Sequence, residues 1–226
     1  MIKKCMNQVQ ISAIECYKQA WQRIKKNFWY LVALCLIANL ISSFSNGILS
    51  GVMICSMFAA CLDVIDNENP DTSFRKLFDG FNYFLPSLLL IIIASIPIAI
   101  TVILLLTLSA LIKNIDFSPQ LVLAVWMIAA FLAIVLMVCL HSLMIFSFLL
   151  VVDKNMSALQ SILISSQAVW SNLGLVVNVL LISFLLSIIG LLACCIGVYF
   201  VFPINLAAIT LIYRQIFPAI SYEPRT

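Results

Sequence analysis

Charge is what this chain has least of. Twelve Lys or Arg and nine Asp or Glu make up 9% of 226 residues, where a soluble globular protein carries roughly a quarter. So sparse a supply of polar side chains excludes a water-solvated domain of this length. Histidine occurs once, at His141. Serine–histidine catalysis would need an acid to orient that ring, and no Asp or Glu lies in the core of any apolar segment. A glycine-rich phosphate loop, a metal-ligand spacing and paired intramembrane carboxylates are also missing from the sequence. An enzyme is therefore not expected, nor a cofactor, a bound metal or a nucleic-acid partner. The first residues lack a short apolar run ending in a small-residue cleavage site. No removable signal peptide is expected, and the first span should act as an uncleaved anchor.

Eight cysteines are present, but their positions do not suggest a disulfide framework. Cys35, Cys55, Cys61 and Cys139 lie in apolar segments, where a thiol behaves as a small hydrophobe. Cys5 and Cys16 precede the first span, and Cys194-Cys195 lies at a turn. Free thiols are expected throughout.

What is abundant is uninterrupted hydrophobicity. Residues 119–152 run for 34 positions without Asp, Glu, Lys or Arg. A bilayer core needs only ~20 helical residues. Six predominantly apolar segments fall at 28–46, 47–65, 81–112, 119–152, 172–192 and 196–217, with Asp63 and Arg214 near the ends of the second and sixth. The class is all-α: one polytopic integral membrane domain over residues 1–226 with six transmembrane helices. The third segment has 32 residues and would reach ~48 Å as one helix, beyond the ~30 Å hydrocarbon core. With the fourth it predicts a long central hairpin, kinked at Pro97 or broken there.

Three amphipathic pieces accompany the spans. Within residues 1–26, Ile14, Tyr17, Trp21 and Ile24 continue to Phe28 as one stripe, opposite Glu15, Lys18, Gln19, Gln22, Arg23, Lys25 and Lys26. Such a helix lies in a membrane interface. The acids Asp63, Asp66, Glu68, Asp71 and Asp79 match no calcium loop and read as a solvated segment. Inside it, Asp71 can cap a short helix that Gly80 ends. Residues 155–171 place Leu159, Ile162, Leu163, Val169 and Trp170 opposite Ser157, Gln160, Ser161, Gln167 and Ser171.

With the N-terminus inside, 11 of the 12 Lys and Arg fall on cytoplasmic segments and only Lys113 lies outside. The positive-inside rule thus predicts both termini in the cytoplasm of a multi-pass protein. Residues 14–65 and 159–217 share the order amphipathic helix, asparagine (Asn27, Asn172), span, uncharged turn, span. Either this is a parallel repeat of two hairpins around the central one, or any two hairpins look alike in hydropathy.

Polar groups at depth are the candidate site. His141 sits ~18 Å along the helix from Asp153, and Asn39, Asn178 and Asn205 could pair with it, bind helices together or line a path. Lys18, Arg23, Lys25 and Lys26 are the candidate contacts for anionic lipid. Two readings follow. One is a non-catalytic membrane protein with an accessory, envelope- or lipid-organising role. Its partners would be membrane lipids, with a membrane-protein partner or a second copy of the chain also compatible. The other is a small transporter or channel with a polar path near His141 and kinks at Pro97 and Pro203.

Several short motifs resemble a known family. They are Ala20-Trp21, Lys26-Asn27-Phe28-Trp29, Leu77-Phe78-Asp79-Gly80-Phe81, Val151-Val152-Asp153 followed by Ala158-Leu159 and Ser166, and Pro203 with Ala207, Tyr213 and Arg214. Together they resemble the YciC-like group of small bacterial inner-membrane proteins and the related membrane domain of some glycerophosphodiester phosphodiesterases. Where that family often has a proline before Val-Val-Asp, this chain reads Phe146-Ser147-Phe148. The resemblance implies a helical inner-membrane protein with no assigned catalytic residues.

Overall fold

The computed structural model describes residues 12–113, 118–192 and 196–218, and these form helices joined by turns with no strand among them. α1 (Ala13–Ile24) is started by Ser12, whose Oγ accepts a hydrogen bond from the Glu15 amide, with Glu15 in the first turn and Arg23 in the last. α2 (Phe28–Phe44) follows at 95° to it. Asn46 and Gly47, at φ +50° and +83°, turn the chain back into α3 (Ser50–Asp66). A short α4 (Lys76–Asp79) and a 3-10 turn (Gly80–Tyr83) lead into the long α5 (Phe84–Lys113). Then come α6 (Pro119–Leu143), α7 (Ser147–Lys154), α8 (Ala158–Ser171), α9 (Leu173–Leu192) and α10 (Ile196–Ile216).

α3 is the axis of the core. Most of its length is buried, from Gly51 and Val52 to Val64 and Ile65, between α2, α10, α7 and the α4–α5 segment. Small residues permit the approach: a Cβ at Gly51 would come within 2.7 Å of the Ser87 carbonyl oxygen of α5. By contrast, α5 and α6 leave large apolar side chains bare, among them Ile103, Met127 and Phe131. Such surfaces suit a hydrocarbon solvent, since lipid chains are as apolar as leucine. Four helical stretches are long and apolar enough to cross a membrane, Lys76–Ala110, Gln120–Lys154, Leu173–Leu192 and Gly197–Ile216, or five if the bent α1–α2 pair is one span.

Several expectations change in detail. α2 and α3 are 17 residues each, ~25 Å long and shorter than the segments 28–46 and 47–65. α5 continues through Pro97 and α10 through Pro203, so neither proline breaks its helix. The interruption falls instead at residues 144–146, inside the fourth apolar run. Ser165 of α8 holds that break, donating to the Leu143 carbonyl at 2.7 Å and accepting from the Phe146 amide at 3.1 Å.

Gly80 caps the C-terminal end of α4, as expected, but without left-handed backbone. Its φ is an ordinary −61°, and its role is close packing: a Cβ there would overlap Ser56 Oγ and the Val52 carbonyl. Asp71 accepts from the Ser73 amide and hydroxyl in a local turn before α4.

α1 and α8 dock mainly by their small residues, and only part of each apolar stripe, such as Ile24 and Val169, is buried. α1 buries Ala13, Cys16, Ala20 and Ile24 while Ile14 and Trp21 stay exposed. α8 buries Ala158, Ser161, Ser165, Ala168 and Val169 while Leu159, Leu163 and Trp170 point outward. Against a protein neighbour small residues give the closest fit, and bulky apolar ones are left for lipid.

Candidate functional site

The densest polar structure lies where α3, α7 and α10 end together. Arg214 grips Asp66 with two nitrogens, Nε at 3.0 Å and Nη2 at 2.6 Å from Oδ2, and its Nη1 lies 2.8 Å from Asp153 Oδ1. Tyr213 donates its hydroxyl to Asp153 Oδ2 at 2.7 Å, and Lys154 Nζ is 3.0 Å from the same oxygen. Beside this cluster, Asp63 pairs with Lys76 and accepts from the Asp71 amide at 2.9 Å. Two of the acids expected in a solvated loop, Asp63 and Asp66, are thus ion-paired. Every carboxylate in the Arg214 cluster already faces a cation or a phenol. The chemistry of this arrangement is that of a clasp, a charge-assisted and partly bidentate lock.

The polar residues singled out at depth do not meet. His141 is exposed, and its Nδ1 lies 3.0 Å from the Met137 carbonyl of its own helix. Asn205 Oδ1 accepts from Tyr17 Oη at 2.9 Å, and Tyr17 also lies 2.6 Å from Ser183 Oγ, joining α1 to the middles of α9 and α10. Asn39 reaches Tyr199 Oη only at the limit of a hydrogen bond, 3.5 Å. Asn178 is exposed on α9. Of the candidate lipid contacts, Lys18, Lys25 and Lys26 are exposed, whereas Arg23 donates through Nη1 to the Ile65 carbonyl at 2.8 Å.

Ser183 and Tyr199 carry no signal in the sequence, Tyr17 reads there only as part of an apolar stripe, and nothing local links Asp66 to Arg214. Pairs 148 to 188 positions apart leave no local signal. The motif residues around Asp153, Tyr213 and Arg214 were visible as motifs, without their common contact.

Two cavities of about 500 Å³ flank the core. One opens between α2, α3 and α10 over an apolar floor of Cys35, Met53 and Phe202, with Asn39 and Tyr199 at its polar edge. The other is a polar cleft at the α1–α2 bend, facing residues that follow α3. Among the described residues no group of three His, Cys, Asp or Glu could hold a metal ion, and Cys16, Cys35, Cys55, Cys61 and Cys139 are free thiols. Cys5 and Cys194-Cys195 lie outside the described residues. Compared with protein-family models, curated proteins and solved structures, the chain matches none.

Proposed function

We propose that this chain is a non-catalytic, multi-pass protein of a bacterial inner membrane that organises lipid or supports a neighbouring membrane protein. The observation that carries this reading is the separation of His141, Asn39, Asn178 and Asn205. A solute pathway needs polar groups in line, and here two bind helices to each other while the others stand apart. The outward bulky faces of α1 and α8 and the exposed Lys18, Lys25 and Lys26 supply apolar and cationic surface to a bilayer.

In this reading the chain crosses six times, α2 and α3 forming the short hairpin, with both termini cytoplasmic. Membership of the YciC-like group belongs to the same proposal. In its support, Asp153, Tyr213 and Arg214 form one cluster, and the Leu77–Gly80 motif packs on the same α3. A parallel repeat is part of it too: Asn27 and Asn172 occupy the corresponding junctions α1–α2 and α8–α9.

The test is reconstitution of the purified full chain into sealed vesicles loaded with ions and small metabolites. The expected result is unchanged permeability, with anionic phospholipid enriched on the protein after extraction. A solute flux abolished by Asn205→Leu or His141→Ala would replace this reading with the transporter.

A further inference from the structure

The polar cleft at the α1–α2 bend gathers charges of both signs. Gln22, Arg23, Lys26 and Asn27 line it from α1 and the bend, and Asn67 and Glu68 from the segment after α3. Arg23 is fixed by its bond to the Ile65 carbonyl, which leaves its remaining N–H groups for a ligand. Asp66, also in the lining, is neutralised by Arg214. Among the described residues neither Lys26 nor Glu68 forms an ion pair, and both are exposed. The chemistry available to an occupant is therefore two cations and one free carboxylate. Next to it, Trp21 and Phe28 meet edge to face at 5.2 Å, and Trp29 is 72% exposed. Indole rings in this setting mark headgroup depth.

We propose that this cleft binds the headgroup of a zwitterionic phospholipid that carries a primary amine. Arg23 and Lys26 hold the phosphate, Glu68 accepts from the ammonium group, and the acyl chains pass Trp21 and Trp29 into the hydrocarbon. A quaternary ammonium has no N–H to give Glu68, and an anionic glycerol headgroup offers that carboxylate no positive charge. The proposal rests on the lipid-organising reading and names the lipid class.

The test is native mass spectrometry of the full chain in mild detergent with an equimolar mixture of phosphatidylethanolamine, phosphatidylcholine and phosphatidylglycerol of identical acyl chains. Wild type should retain the amine lipid about tenfold over the choline lipid, a difference of ~1.4 kcal/mol. Glu68→Gln should equalise those two, and Lys26→Gln should lower retention of all three, with unfolding temperatures unchanged because both side chains are exposed. Equal retention by wild type, or a preference indifferent to Glu68→Gln, would overturn the site. A preference for phosphatidylglycerol lost with Lys18 and Lys25 would overturn it while leaving the lipid-organising reading intact. Soluble phosphoethanolamine competing as well as the lipid would overturn the lipid assignment.

Discussion

Ser56 and Gly80 are locked against each other. The Ser56 hydroxyl donates to the Leu77 carbonyl at 2.6 Å, and the missing side chain of Gly80 is what lets the 3-10 turn close over that hydroxyl. Gly80→Ala must push the turn off α3, and overpacking of this kind costs about 1–3 kcal/mol. Thermal unfolding in detergent should show the loss. Gly174→Ala, where a Cβ meets nothing within 4 Å, should be neutral or slightly stabilising in the same measurement.

The Arg214 clasp predicts an asymmetric mutational pattern. Arg214→Ala leaves Asp153 and Asp66 without their shared cation, and losing charge-assisted bonds in this half-buried setting costs roughly 1.5–3 kcal/mol. Asp66→Asn should cost less, because Asp153 still faces the guanidinium. Arg214→Lys should fall in between, since an ammonium cannot grip a carboxylate with two parallel bonds. Denaturation midpoints of the three variants rank them.

Tyr17 ties α1 to α9 and α10 through one hydroxyl. Tyr17→Phe removes contacts to Ser183 and Asn205 and leaves the Asn205 amide short of a partner, for a loss of about 1–3 kcal/mol. Limited proteolysis should detect the looser first helix as faster cleavage near residue 25. Equal cleavage of wild type and variant would count against this anchoring.

His141→Ala should do little. The ring is exposed and bonded only to its own helix, so the expected change in stability is within about 0.5 kcal/mol. The unfolding temperature of the variant checks this; a large drop would mean that His141 has a partner in the membrane.

Much of the architecture can be read from hydropathy, because hydrocarbon admits few solutions. The long α5, α6 and α9 and the uncharged turn at Asn46–Gly47 follow from apolar length and from where it is interrupted. The orientation of α1 and α8 does not follow, because an amphipathic stripe says which side is apolar but not which solvent surrounds the helix. In α8 Ser161, on the side that looks solvent-facing, is buried against the bundle together with Ser165. The break at residues 144–146 carries no glycine or proline; it exists because Ser165, twenty residues on, satisfies its backbone. The clasp is invisible for a similar reason: Asp66 and Arg214 look like loop and terminus charges until the fold brings them together.

The outward face of α8 is the most direct test, since water and lipid predict opposite outcomes there. Trp170 is 67% exposed, and a variant keeping it as the sole tryptophan, the other three replaced by Phe, can be reconstituted in bilayers with brominated acyl chains. Strong quenching by the bromines, with little effect of aqueous iodide, is the expected result. Indole emission untouched by brominated lipid but quenched by iodide would contradict the account.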